Sequence, residues 1–325
     1  MKYRQLGKTG IEISELSFGT WAIGGSWGNT DDEKALAGLE RALAGGVNFF
    51  DTADVYGMGH SEKLLGKVTK GRDVYIATKF CRQGKIDDPA TYSEKQVRAY
   101  LEDSLHRLGR EYVDLYQIHC PPLSIIKQGD VFETLEKLKA EGLIRSYGVS
   151  VESVEEGLYV MEHTKADVLQ IIFNIFRQKP LEQLLPMAEE KGVGILARVP
   201  LASGLLTGKY EKNHSFQEDD HRHFNRGGKA FNIGETFAGL EFNKGVELSN
   251  EIAWIENGRG NRTRAALKWI LQQPGITAVI PGFRNVRQVE DNLAALDVPD
   301  FTKEELEKLQ NFHEKKVVPQ IQGTY

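Results

Sequence analysis

Eight short apolar runs recur along this chain with helical stretches between them, and that alternation limits the fold more than any other feature. The runs are ELSFGTW (15–21), VNFFD (47–51), DVYIATK (73–79), VDLYQIH (113–119), IRSYGVS (144–150), VLQIIFN (168–174), VGILARV (193–199) and ITAVIPG (276–282). Helical spacing of apolar residues falls between them at 32–44, 94–108, 130–141, 181–191 and 262–273. In the second of these, Leu101, Leu105 and Leu108 share one face. Ser93 ahead of Glu94 and Gln96 marks a helix start, and EGL at 141–143 a helix end. Strand–helix units repeated in this way predict an α/β fold, a (β/α)8 TIM barrel preceded by a short N-terminal β-hairpin. A doubly wound sheet is the rival. It needs G-x-G-x-x-G directly after its first strand, where this chain has GTWAIGG. Residues 1–325 are expected to form a single barrel domain, a size at which α/β barrels are common.

The rhythm breaks once, in a long loop after the seventh barrel strand. Residues 210–242 are polar, contain glycine and show little periodicity. A loop of that length suggests a lid or binding loop, with disorder as the plainer alternative.

The chemistry in a barrel of this kind sits at the C-terminal ends of its strands. Here the second run ends in Asp51, the third in Lys79 and the fourth in His119, and Tyr56 stands on the loop after the first of these. One such residue would read as a solvated strand end or a helix cap. Ionisable groups on three neighbouring strand ends point to an active site. A free tyrosine, pKa near ~10, is a poor acid at neutral pH. A nearby ammonium lowers that value. Lys79 can do this if Asp51 keeps it charged and aimed, and His119 can donate to the same reacting oxygen. The set suits protonation of an oxygen on which charge is building, as in carbonyl reduction. Nucleophilic hydrolysis fits less well, because no serine or cysteine stands beside a base in a recognisable elbow.

Charge narrows the partners. The net charge is −5 and the pI about 6.0. With no basic stripe, neither a nucleic acid nor an anionic membrane is an expected partner. The opening MKYRQLGKTG lacks the apolar core of a signal peptide, and no run reaches membrane-spanning length. Two cysteines, Cys81 and Cys120, suit a reducing compartment, so a cytoplasmic location is expected.

Several motifs in order, DTADVYGMGHSE, IATK, DLYQIH, GVS, LASGLLTGKY and IPGFRNVRQVEDN, make the chain resemble the aldo-keto reductases, in particular the bacterial group related to potassium-channel β subunits. The resemblance runs from RQLGKTGIEISELSFGTW almost to the end. It implies an oxidoreductase that reduces a small carbonyl substrate, an aldehyde or ketone, with NADPH/NADP+ bound along the strand ends and no Rossmann domain. It further implies Tyr56 as general acid, Lys79 and Asp51 as its tuners, and His119 orienting the carbonyl. Gly19, Thr20, Trp21 and Asp51 match positions near the nicotinamide, and Ser150 and Gln170 match carboxamide partners. Pro200, Leu201, Gly204, Leu206 and Lys209 fall in the pyrophosphate-side loop. Gly282, Arg284, Gln288, Asp291 and Asn292 match the adenosine end, with Arg284 on the 2′-phosphate because a guanidinium fork fits phosphate. Two positions depart from the pattern. Val151 stands where an asparagine is usual, and Arg198 where an aromatic ring usually stacks on the nicotinamide. Arg198 either lies by the ring, where its charge disfavours the oxidised cofactor, or turns to a phosphate or a loop carboxylate.

Other signals weigh less. His221 and His223 with Asp219 and Asp220 resemble a zinc-ligand set, but no further cluster accompanies them and no metal is expected. Cys81 and Cys120 read as core-edge residues before they read as a redox pair. Trp21, Trp27, Phe80 and Phe231 could line an apolar pocket, whereas Trp254 and Trp269 sit in helical patterns as core. Two other functions compete: a cofactor-bound sensor subunit with weak turnover, and an isomerase or aldolase using Lys79 as a Schiff-base lysine.

Overall fold

The computed structural model describes residues 1–25 and 30–325. Trp27 lies outside the described residues. A two-stranded antiparallel hairpin, β1 (Tyr3–Gln5) and β2 (Glu12–Ser14), precedes an eight-stranded parallel sheet. Its strands are β3 (Phe18–Gly19), β4 (Phe49–Asp51), β5 (Tyr75–Phe80), β6 (Val113–His119), β7 (Ile144–Ser150), β8 (Val168–Ile172), β9 (Gly194–Arg198) and β10 (Ala278–Val279). They pair in chain order, and parallel bridges Leu16↔Val279 and Gly19↔Gly282 join the first barrel strand to the last. The chain therefore forms the expected barrel with its hairpin.

Side-chain alternation with period two builds two cores. Phe49, Ala77, Leu115, Val168, Leu196 and Ala278 turn inward and pack with Leu6, Ile11 and Ile13, so the hairpin closes the N-terminal end. Their neighbours Phe50, Ile76, Tyr116, Leu169, Ile195 and Val279 turn outward into the layer under the helices. The hairpin turn approaches β9 so closely that a Cβ on Gly7, at φ +56°, would lie 2.5 Å from the Gly194 nitrogen. Only glycine tolerates both the angle and the contact.

The helical periods read from sequence reappear as helices Asp32–Ala44, Glu94–Leu108, Asp130–Ala140, Leu184–Lys191 and Arg262–Leu271. Two local expectations change. The first apolar run does not stay extended to Trp21, because Trp21–Gly24 forms a helical turn. Phe80 faces outward, stacked on Tyr116 at 4.6 Å, in the layer under the helices. Ser93 caps the helix that starts at Glu94, as expected, its hydroxyl turned back to the Ala90 carbonyl, 2.8 Å away. Trp269 is core, stacked on Phe173, and Trp254 packs at the core's edge under the Lys308 ammonium. Among the described residues no helix is long and apolar enough to cross a membrane.

The 210–242 excursion is packed rather than loose. Asn225 organises it, its Oδ1 accepting from the Ala230 and Phe231 nitrogens while its Nδ2 donates to Thr236 Oγ1. Asp220, His221, Arg222, Asn225, Glu235 and Thr236 are all buried.

Candidate active site

At the C-terminal end of the barrel, two residues beyond the apolar inward layer, the same strand parity presents Asp51, Lys79, Gln117, Gln170 and Arg198. The Lys79 ammonium donates to Asp51 Oδ1 at 2.5 Å, to the Thr52 carbonyl at 2.9 Å and to the Tyr56 hydroxyl at 3.2 Å. Asp51 Oδ2 accepts from Gln117 at 3.1 Å and from Gln170 at 2.8 Å. Each oxygen of this buried carboxylate is thus committed, as a buried charge requires. Tyr56 is held from behind by its loop. A Cβ on Gly57, at φ +61°, would lie 1.8 Å from the Gly24 carbonyl oxygen, so the YG pair docks flat on the Trp21–Gly24 turn. Trp21 stacks beside Tyr56 at 6.0 Å, and His119 meets the tyrosine ring edge-on at 5.8 Å.

The charges in this cluster are set by burial and by one another. Burial alone would lower the Lys79 pKa, but Asp51 and Tyr56 outweigh it and hold the ammonium charged above its ordinary value. A charged lysine with its protons on three acceptors is a poor Schiff-base nucleophile. Tyr56 corrects the sequence expectation. Desolvation, assisted by Asp51, raises its pKa despite the opposing Lys79 charge. The phenol therefore stays protonated through the neutral range. His119 is held well below 6.5, by burial first and then by the Arg82, Lys79 and Arg198 cations. Its ring is neutral.

Asp51, Tyr56 and His119 lie at the floor of a cleft of about 1000 Å³ that runs past β9 and β10 to the start of helix Val286–Leu293. Of the residues singled out from sequence, Gly19, Trp21, Asp51, Tyr56, His119, Gln170, Arg198, Pro200, Leu201, Gly204, Lys209, Gly282, Arg284, Gln288, Asp291 and Asn292 line it. Thr20, Lys79, Ser150 and Leu206 do not. Thr20 is buried behind the floor, its hydroxyl bonded to the Asp51 carbonyl and Ser61. Ser150 faces Cys120 at 3.4 Å, and Leu206 is core. Arg284, Arg287, Lys209 and Arg222 also line the cleft. Burial lowers the Lys209 pKa, and the Arg222 and Arg284 cations lower it further. Asp220 pairs with Arg222 and offsets part of this charge, and the cationic surplus that remains favours an anion. Asp291 is held by Arg264 and Asn261, and Gln288 Oε1 accepts from the Arg284 backbone N–H at 2.7 Å.

Arg198 takes the second of its two readings. One guanidinium nitrogen pairs with Glu235 of the 210–242 excursion, and the other donates to the Val151 carbonyl at 2.9 Å. The pair is electrically neutral, which removes the ground for a charge bias against oxidised cofactor. Beside it, Arg82 pairs with Glu152 at 2.8 Å, and Asn232 donates to the other Glu152 oxygen at 2.9 Å. Sequence reasoning missed Gln117, Arg82, Glu152, Asn232, Glu235 and Arg287. Gln117 was within reach, being two residues before His119 on the same inward face.

Cys120, Glu152 and Glu235 place ligand atoms within 4.8 Å of one another. Both carboxylates, however, already meet a guanidinium. The thiols are poorly placed for redox chemistry: burial pushes Cys81 up to about 12 and also raises Cys120. His221 is buried, with the Trp21 ring tilted against it at 4.7 Å.

Beneath the floor lies a group with a stability consequence. Asp54 is fully buried, and among the described residues its carboxylate has no full hydrogen bond, only a weak pull from the Val55 backbone N–H. Burial raises its pKa to about 7, with Glu62 adding to the shift and Arg107 and Lys79 opposing it. An unfolded aspartate titrates near ~3.9. The folded chain thus retains a proton that the unfolded chain loses. The associated stability is complete below about pH 4 and declines as pH rises toward 7. Asp54→Asn is expected to gain about 2–3 kcal/mol over wild type between pH 5 and pH 8, read by denaturant unfolding. A difference that does not vary with pH would remove Asp54 as the cause.

Comparison with known proteins agrees with this geometry. The model of the Aldo/keto reductase family matches residues 15–314. The aldo-keto reductase YhdN of Bacillus subtilis is 33% identical over 299 residues, 89% of this chain and 87% of that protein. A probable voltage-gated potassium channel subunit beta of Oryza sativa is 29% identical over 95% of this chain and 96% of its own length. The solved structure of a glycerol dehydrogenase from Gluconobacter oxydans superposes with a TM-score of 0.77 at 29% identity, covering 99% of this chain and 98% of that one.

Proposed function

The chain belongs to the aldo/keto reductase family, and from that premise we propose that it reduces aldehydes or ketones to alcohols with NADPH, Tyr56 acting as the proton donor. The observation that carries the reading is the run Asp51–Lys79–Tyr56, at 2.5 and 3.2 Å, with a neutral His119 edge-on to the phenol.

The cleft's donor set fits such a cofactor. Cations gather at one end, suited to phosphates, and amide groups at the other, suited to a carboxamide. Arg284, Arg287 and Lys209 would hold the phosphate-bearing end, and Gln170 the amide end. The reduced nicotinamide supplies the hydride. As charge builds on the carbonyl oxygen, Tyr56 gives up its proton, and the Lys79 ammonium stabilises the phenolate left behind. Asp51 keeps that ammonium charged and aimed. The neutral imidazole of His119 keeps an N–H donor that can orient the carbonyl. The Trp21 and Phe231 rings, 5.9 Å apart, give this end an apolar edge.

Loss of reduced-nicotinamide absorbance against a panel of aldehydes and ketones tests the reading. Cofactor binding without turnover on any of them would favour the sensor alternative. Cofactor preference is tested separately at Arg284. Arg284→Ala is expected to cost NADPH binding about 1.5–3 kcal/mol, roughly 10–100-fold, with little change for NADH. Equal losses for the two cofactors would show that Arg284 does not read the 2′-phosphate.

A further inference from the structure

The turn that carries Tyr56 also carries a buried acid that the reacting centre does not use. This turn hangs from Lys79 at two points. The Thr52 carbonyl accepts from the Lys79 ammonium at 2.9 Å, and the Asp54 N–H donates to the Lys79 carbonyl at 3.2 Å. The Tyr56 N–H closes the turn on the Ala53 carbonyl at 3.1 Å. The fully buried Asp54 carboxyl lies among groups from four neighbouring elements. They are Glu62 of helix His60–Thr69, Tyr100 and Arg107 of helix Glu94–Leu108, Lys79 of β5 with Cys81 just after it, and Tyr116 of β6. The counter-charge there is already committed. Arg107 Nε donates to Glu62 Oε2 and Thr78 to Glu62 Oε1, each at 2.5 Å, while Lys79 serves Asp51, Thr52 and Tyr56. Among the described residues the Tyr116 hydroxyl makes no hydrogen bond, so it does not reach Asp54 either.

We infer that Asp54 is a positioning residue for Tyr56: its neutral, protonated carboxyl seats the Thr52–Tyr56 turn on β5, and loss of that proton unseats the turn and slows proton delivery to the substrate. The inference rests on the reductase reading and deepens it. A neutral acid is tolerated in a dry layer. A carboxylate beside Glu62 with no donor of its own is costly there. Movement of the turn relieves that cost, and Tyr56 moves with it. The Lys79–Tyr56 contact, at 3.2 Å, is already at the long end for a hydrogen bond. A misplacement of about 1 Å can cost roughly 10²-fold in rate. A second effect has the same sign, because negative charge beneath the floor opposes the phenolate that Tyr56 becomes. Burial and then Glu62 raise the Asp54 pKa to about 7. The turn is therefore seated below that pH and released above it. The purely structural alternative is that Asp54 titrates without moving Tyr56 and affects stability alone.

The test follows the single-turnover rate of cofactor oxidation, which reads chemistry rather than product release, across roughly pH 6 to 9. The wild-type rate is expected to fall about tenfold or more over this range, with little change in cofactor affinity. Asp54→Asn puts a neutral amide of the same shape in place and is expected to hold the low-pH rate throughout. Glu62→Gln removes a charge that keeps Asp54 protonated, so its fall is expected at lower pH than in wild type. Infrared difference spectroscopy reads the acid without turnover. The C=O stretch of a protonated carboxyl should disappear over the wild-type range and be missing from Asp54→Asn. Parallel rate profiles in wild type and Asp54→Asn overturn the inference and leave the reductase reading intact. So does a Glu62→Gln fall that stays in place or moves to higher pH, or a wild-type protein without the infrared band at pH 6. No turnover of any aldehyde overturns the reductase reading and this inference with it.

Discussion

Tyr56→Phe is expected to lower kcat for carbonyl reduction by about 10²–10⁴ while leaving cofactor affinity nearly unchanged. The substitution removes one oxygen. The ring keeps its place between Trp21 and His119, and the Gly57 turn that aims it is untouched. What is lost is the proton and its link to Lys79. Because burial holds the phenol's pKa above its ordinary value, the wild-type acid stays loaded throughout the neutral range. The defect should therefore not be rescued by lowering the pH from 8 to 6. Steady-state kinetics with a fluorescence titration of the cofactor separate the two quantities. A mutant retaining most of its kcat would remove Tyr56 from the role.

Lys79→Met is expected to damage both activity and stability. Lys79 is fully buried and the Asp51 side chain is 3% exposed. Taking away one member of such a pair leaves a buried charge without its partner, a loss of about 3–5 kcal/mol. Gln117 and Gln170 still donate to Asp51 Oδ2, so the lower end of that range applies. Activity should fall with it, since nothing remains to stabilise the Tyr56 phenolate. Adding Asp51→Asn removes the stranded charge and should recover part of the stability but none of the activity. Denaturant unfolding of the single and double variants at pH 7 measures this. A Lys79→Met chain as stable as wild type, or a double variant less stable than the single by the full Asp51→Asn loss, would show that the pair is not coupled as drawn.

The chain's linear pattern carries the barrel and the catalytic floor for the same reason. Period-two alternation sends every second strand residue inward, and repeated strand–helix units bring consecutive strands side by side. Asp51, Lys79 and His119 must then meet at one end, and Tyr56 follows on the connecting loop. The same parity assigns Gln117 to the interior and Phe80 to the helix layer. Helices Asp32–Ala44 and Glu94–Leu108 were equally legible, because their apolar spacing is regular and their ends are marked. Tertiary structure alone decided the rest. Glu235 and Asn232 lie in a segment with no periodicity, and their positions depend on the Asn225 turn and on an arginine distant in sequence. Whether Arg198 acts as a free charge or as half of a neutral pair depends on that distant partner. Whether Asp54 is an ordinary carboxylate or one titrating about 7, and whether Lys79 or burial controls Tyr56, are questions of desolvation. Desolvation belongs to the packed molecule. A sequence shows which residues face inward, but the balance between burial and neighbouring charge is set only when the strands, loops and excursion close around them.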